Sequence, residues 1–149
     1  DRLTQAIVLS RRHDNKVALL FLDLDHFKLV NDSLGHVIGD NLLQSVAQRL
    51  ADSVRTSDTV CRLGGDEFVI LLSEIEHVDA ATLCAEKVLA AVAVPHLVGG
   101  HEVHITLSIG ISVCPDDGQE AETMLRNADT AMYHAKKMGR ANYQHFTQA

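Results

Sequence analysis

The sequence predicts an α+β fold: a mostly antiparallel central sheet of about five strands surrounded by helices. Three observations predict it. Strand-length apolar runs alternate irregularly with stretches of helical periodicity, and a double-glycine turn joins two β-rich runs in mid-chain. The composition, 46% apolar and 22% charged, is that of an ordinary globular chain, which excludes disorder, collagen and coiled coil. At 149 residues the chain fits one domain over its whole length, and a fold of this size buries roughly 70% of the surface its unfolded form exposes.

Each element follows from its pattern. Leu3, Ala6, Ile7 and Leu9 at roughly helical spacing predict a first helix over residues 3–12. Residues 17–25 are a continuous apolar run ending in acids, the pattern of a strand buried on both faces. A short helical stretch over 26–34 is stopped by Gly35. From Asn41, the residues Leu42, Leu43, Val46, Ala47, Leu50 and Val54 repeat every 3.6 residues and predict an amphipathic helix. Residues 59–63 and 67–72 read as strands joined by Gly64-Gly65-Asp66, a hairpin signal because tight hairpin turns need positive φ.

A second long helix begins at Asp79, with Ala81, Cys84, Ala85, Val88 and Val92 on one stripe. Residues 102–114 alternate as one long strand, paired with 96–98 across Gly99-Gly100. The turn Pro115-Asp116-Asp117-Gly118 leads to a third helix with Met124, Leu125, Ala128, Ala131, Met132 and Ala135. Lys136 and Lys137 sit in its last turn, where cations are favoured, and Gly139 closes it. A short strand is expected over 142–146.

The charge balance narrows the function. Twenty acids against thirteen bases give a net charge of −7, which excludes generic binding to nucleic-acid backbones. Six aromatics in all argue against a base-stacking platform. The longest apolar run, residues 88–94, is far short of the roughly 20 that span a bilayer, so no membrane contact is expected of this domain. The polar start Asp1-Arg2-Leu3-Thr4-Gln5 does not read as a signal peptide. Cys61, Cys84 and Cys114 are odd in number and widely spaced, which predicts buried free thiols in a reducing cytoplasm rather than a disulfide framework. Nine histidines show no ligand spacing on one face; His101 and His104 fall on opposite faces of a strand pattern.

Chemistry gathers in two acidic clusters, each at the end of an apolar strand: Asp23-Leu24-Asp25 and Asp66-Glu67. Alone, the first also suits a helix cap and the second a plain turn. Together they leave like charges close, and two such charges near 4 Å repel by about 4 kcal/mol at an effective dielectric near 20. A divalent cation removes that repulsion, and hard carboxylate oxygens suit Mg²⁺ or Mn²⁺. Beside a glycine turn, whose N–H groups can approach phosphates closely, such a metal makes a triphosphate seat.

Gly64-Gly65-Asp66-Glu67-Phe68 resembles the signature of the GGDEF domain, the diguanylate cyclase family. The run from Phe21 to Lys28, Asn31 to His36, Gly39-Asp40, Arg62-Leu63, Ser108 to Gly110, Ala128-Asp129, Ala131-Met132-Tyr133, Ala135-Lys136 and Gly139-Arg140 also resemble family blocks, in order and spacing. The resemblance implies condensation of two GTP into cyclic di-GMP and pyrophosphate by a homodimer, with one GTP and two Mg²⁺ or Mn²⁺ ions in each active site. It implies Asp23, Asp66 and the Leu24 carbonyl as metal ligands, with Glu67 binding the second metal or deprotonating the ribose 3′-hydroxyl. Asn31 and Asp40 resemble the guanine-reading pair, with Leu43 packed on the base. Lys28, Lys136 and Arg140, with N–H groups around His26 and Phe27, resemble the phosphate contacts. Asp25 and His36 are read as structural, and Arg62 is left open.

Arg55-Thr56-Ser57-Asp58 has the spacing of the family's product-inhibition site, with Lys87 as a further basic contact; a helix-end charge pair is the plainer alternative. Asp1-Arg2-Leu3-Thr4 resembles the start of the family's opening motif, but Gln5-Ala6-Ile7 does not continue it. These residues are therefore expected in the following helix, with the opening motif missing. Domains beyond residues 1–149, a phosphodiesterase among them, and a membrane-anchored parent stay open. The alternative from another class is a non-catalytic module that binds GTP or cyclic di-GMP and signals to a neighbour. A cyclase with a different product is a third reading, against which Asn31 and Asp40 speak for guanine.

Overall fold

A computed structural model describes residues 2–147. The chain runs α1 (Arg2–His13), β1 (Lys16–Leu24), α2 (Phe27–Leu34), α3 (His36–Asp52), β2 (Thr59–Gly64) and β3 (Glu67–Ile75). It continues through α4 (Asp79–Ala93), β4 (His96–Val98), β5 (His101–Val103), β6 (Leu107–Cys114), α5 (Ala121–Lys137) and β7 (Tyr143–His145). Asp1, Gln148 and Ala149 lie outside the described residues, while Arg2, Leu3 and Thr4 belong to α1 as expected.

Five strands form one sheet in the order β2-β3-β1-β6-β7. All neighbours are antiparallel except β6 and β7, which are parallel, so the predicted α+β class and mostly antiparallel sheet are what the chain adopts. The unbroken apolar run of β1 has a direct cause. Ala18, Leu20, Leu22 and Leu24 join the core under α3 and α4, whereas Val17, Leu19 and Phe21 join the core under α1 and α5. The sheet is thus covered on both faces.

One glycine sets how closely α5 lies on the sheet. A Cβ on Gly110 of β6 would stand 2.0 Å from the Ala128 carbonyl oxygen and 2.1 Å from the Met132 nitrogen, both backbone atoms of α5. Ser112 on the same face donates its hydroxyl to the Met124 carbonyl at 2.8 Å. The helix that carries Lys136 is seated on β6 by these contacts.

Two boundaries and one burial differ from the sequence expectation. The strand expected over 102–114 is two strands, because β5 pairs with β4 in a separate hairpin and β6 joins the main sheet. Val103, Ile105 and Leu107 are all buried with one parity, so the alternation runs straight through the break and conceals it. Helix α3 starts at His36 rather than near Asn41; its first turn carries an exposed Val37 and so lacks the apolar signal. Cys61 is exposed rather than buried, since it lies on the edge strand β2; Cys114 is buried and Cys84 half-buried, and all three are free thiols.

The β4–β5 hairpin is held by His96, which is fully buried between α3 and α4. Its Nδ1 lies 2.6 Å from Ser45 Oγ and its Nε2 donates to the Val92 carbonyl at 2.9 Å. Among the described residues no helix is long and apolar enough to cross a membrane.

Candidate active site

The site is built where β1 ends against the β2–β3 turn. Gly65 starts that turn at φ 53°, a conformation glycine adopts without strain. The Leu24 N–H donates to the Asp66 carbonyl at 3.1 Å, locking the turn to the strand end. The Arg62 Nε–H donates to the Gly65 carbonyl at 3.0 Å, which gives the residue left open a role in bracing the turn. Asp23 lies directly opposite Glu67 in the β1–β3 register, so their side chains share a face. Asp23, Leu24, Asp66 and Glu67 therefore converge.

Asp23 is buried, and its carboxyl is pushed up from 3.8 to about 6. Burial is the main cause, the nearby Asp66 carboxylate adds to it, and Lys136 opposes it. Lys136 of α5 places its ammonium on Asp23 Oδ2, while Oδ1 is buried with no hydrogen-bond donor. Lys136 thus meets the first acidic cluster itself rather than standing free for phosphates.

The family's metal ions can be tested on this geometry. Among the described residues no three His, Cys, Asp or Glu side chains surround a single point. Asp23 Oδ1 nevertheless has no donor, and its carboxyl lies near that of Asp66, which is the situation a hard cation resolves. Magnesium is commonly held by one or two carboxylates and completes its shell with water and phosphate oxygens. The residues present fit such an ion.

Asp25, two residues on, is not part of this pair. It lies past the end of β1, and its buried carboxylate accepts from Thr106 Oγ1 and Ser108 Oγ, both at 2.6 Å, and from the Ala141 N–H at 3.1 Å. Nothing in the alternation pattern marks this junction. His26 follows in a left-handed conformation (φ 59°) and starts α2, with the Phe27 ring buried and Lys28 exposed. Arg140 is exposed in the turn after α5.

The guanine-reading candidates stand on adjacent helices. Asn31 lies on α2, Asp40 is exposed on α3, and Leu43 is buried one turn further on. Asp40 is the fifth residue of α3, so it does not cap that helix. Gly39 explains how the helices meet here: a Cβ on it would stand 1.8 Å from Asn31 Oδ1 and 3.3 Å from the Phe27 ring. Asn31 is seated over a bare Cα, a detail no sequence pattern announced. His36 is exposed at the start of α3.

Away from these groups, Arg55 and Asp58 are paired with one another. Arg55 donates from its backbone N–H and Nε–H to Asp58 Oδ2 at 2.9 and 3.2 Å, and from Nη2 to Oδ1 at 3.0 Å. Nη2 also reaches the Ser73 carbonyl at 2.9 Å. Arg55, Asp58, Leu83 and Cys84 border a cavity of about 230 Å³, and Lys87 stands on α4, close enough to act on the Cys84 thiol. Burial pushes that thiol up to about 11, so it stays protonated near neutrality.

Comparison with known proteins adds a family and a set of structures. The family model described as "Diguanylate cyclase, GGDEF domain" matches residues 1–142. The bifunctional diguanylate cyclase/cyclic di-GMP phosphodiesterase MucR of Pseudomonas aeruginosa is 52% identical over 98% of this chain, which spans 21% of that protein. The crystal structure of the GGDEF domain of TpbB (YfiN) from Pseudomonas aeruginosa is 36% identical with a TM-score of 0.97, covering 99% of this chain and 92% of that one. The GGDEF domain of DgcB from Caulobacter crescentus, solved in complex with c-di-GMP, is 25% identical with a TM-score of 0.87, covering 99% and 85%.

Proposed function

The chain belongs to the diguanylate cyclase GGDEF domain family of cyclic di-GMP signalling, and on that premise we propose that it is a working catalytic domain that condenses two GTP into cyclic di-GMP. The observation that carries this reading is buried Asp23 paired with half-buried Asp66 beside a glycine turn, the Asp23 carboxyl having one donor-less oxygen and being raised to about 6. A strained pair of this kind is costly to a fold and useful to a site. Intact Asp23, Asp66 and Glu67 favour catalysis over a degenerate copy.

In the reaction the 3′-oxygen of each GTP attacks the α-phosphorus of the other, so two O–P bonds form and two bonds to departing pyrophosphate break. Asp23, Asp66, Glu67 and the Leu24 carbonyl would hold two Mg²⁺ or Mn²⁺ ions, whose charge offsets that developing on the phosphate oxygens. As the alternative to ligating the second ion, Glu67 would accept the 3′-hydroxyl proton. Lys28, Lys136, Arg140 and the N–H groups of His26 and Phe27 hold the triphosphate, so Lys136 exchanges Asp23 for phosphate as nucleotide enters. Asn31 and Asp40 read the guanine edge over Leu43. One domain holds one GTP, so turnover takes two domains face to face.

Incubation of the dimeric protein with GTP and Mg²⁺ or Mn²⁺, followed by chromatography, tests this directly. Cyclic di-GMP is expected from the unaltered protein and none from Asp66→Asn; a folded dimer that makes none refutes the catalytic reading. A second reading, binding without turnover, is favoured by the Arg55–Asp58 pair beside its own cavity. Calorimetry separates the two: cyclic di-GMP binding lost in Arg55→Ala and kept in Asp66→Ala, with no turnover, supports a receptor. With turnover, the same site, Lys87 included, gives product inhibition.

A further inference from the structure

The turn that follows α5 is unusual in its backbone. Arg140 and Ala141 are successive non-glycine residues at positive φ, 64° and 51°. Such residues adopt this conformation only where the surroundings hold them. Asn142 Nδ2 donates to the Ala135 and Arg140 carbonyls at 2.8 and 2.9 Å, and the Arg140 N–H donates to the Ala135 carbonyl at 3.1 Å. These bonds tie the turn to the end of its own helix. At Asn142 the turn joins the sheet through the Ile109 N–H, which donates to its carbonyl at 3.0 Å, and through Gln144 Nε2, which donates to its Oδ1 at 3.0 Å. At Ala141, beside Arg140, the tie is the N–H donating to Asp25 Oδ2 at 3.1 Å.

Asp25 is suited to that work. Its carboxylate is 4% exposed and has three donors: Thr106 and Ser108 at 2.6 Å and the Ala141 N–H. Its own N–H donates to the Thr106 carbonyl at 2.9 Å, fixing it to the strand end. The residue therefore joins β1, the start of β6 and the turn after α5 at one point. We propose that Asp25 is a positioning residue: through the Ala141 N–H it holds the left-handed turn from which Arg140 reaches the triphosphate. The inference rests on the reading that Arg140 contacts phosphate, and it gives the second acid of the first cluster a task distinct from that of Asp23.

The test is a double-mutant cycle read by calorimetry. The probe is a GTP analogue with a methylene bridge between the α and β phosphorus atoms, with Mg²⁺. Asp25→Asn keeps the shape but removes the charge and offers one acceptor oxygen to three donors. It is expected to weaken binding about tenfold, as Arg140→Ala does, and to add little further in the Arg140→Ala background. Equal losses from Asp25→Asn in both backgrounds would overturn the inference while leaving the nucleotide reading intact. No binding by the unaltered protein would overturn that reading and the inference with it. A second measurement does not depend on the variant folding: hydrogen exchange at the Ala141 amide. Slow exchange is expected of an N–H bonded to a buried carboxylate, and exchange at the unprotected rate counts against the proposal.

Discussion

Gly39→Ala should make the protein more stable and a poorer nucleotide binder at the same time. Gly39 is a buried helical residue of α3 and is not at positive φ, so alanine suits its backbone. In a helix interior that exchange is worth about 1 kcal/mol in favour of alanine. The new Cβ would stand 1.8 Å from Asn31 Oδ1 and 3.0 Å from its Cγ, too close for either to remain. The obstructed atoms end a short side chain, so Asn31 can turn away and the helices need not part. The loss then falls on what Asn31 does when seated: about 1.5 kcal/mol of hydrogen bonding to the base, or roughly tenfold in affinity. Calorimetric titration with the GTP analogue reads the affinity, and urea unfolding reads the stability. In an Asn31→Ala background the same exchange should cost no further affinity. Unchanged affinity would show that Asn31 does not read the base from this seat, and a joint fall in affinity and stability would show that the helices, not the side chain, gave way.

Other perturbations have equally definite signs. With its carboxyl at about 6 in the folded chain against an ordinary 3.8, Asp23 keeps a proton that the unfolded chain has released. Metal-free stability should therefore fall as pH rises from about 4 to about 6, by at most about 3 kcal/mol. Asp66→Asn removes the neighbouring charge and should raise metal-free stability at pH 7 by about 1 kcal/mol while abolishing turnover; a variant no more stable than the unaltered protein contradicts this. His96 titrates lower than usual, chiefly from burial and also from the Arg49 charge, although the bond to Val92 opposes this. Its contribution is complete above the ordinary 6.5 and is lost as pH falls through the lowered value, so the loss of urea resistance between pH 7.5 and 5 should shrink in His96→Gln. Equal losses in both proteins would dismiss the assignment. Gly110→Ala meets backbone at 2.0 Å with nothing flexible to yield, and should cost about 3 kcal/mol as α5 is forced off the sheet; an unchanged unfolding midpoint excludes that close approach.

Much of the site could be read in the sequence because its pieces are local. The acids flank strands whose apolar runs are visible, the turn announces itself by two glycines, and Asn31 lies on a short helical stretch with Asp40 just ahead of the next periodic run. What escaped depended on elements distant in the chain. The bond of Lys136 to Asp23 spans 113 positions and follows from how α5 lies on β6. Arg55 and Asp58 form the charge pair their spacing allowed, and only the further bond of Arg55 to the Ser73 carbonyl came from a distant element.

Asp23-Leu24-Asp25 divides the two sources of information most clearly. Residue order alone determined the α+β class, the mostly antiparallel sheet, the family and the presence of two acids at the end of a buried strand. Those properties depend on period, turn chemistry and spacing, which a linear chain records directly. Only the tertiary structure decided which acid does what. Asp23 still belongs to β1 and faces Glu67, Asp66 and Lys136; Asp25 lies past its end and is taken up by Thr106, Ser108 and Ala141. Two identical side chains two positions apart acquire different chemistry because the strand ends between them. The groups that meet each one come from β6, α5 and the turn beyond, whose arrival no local pattern encodes.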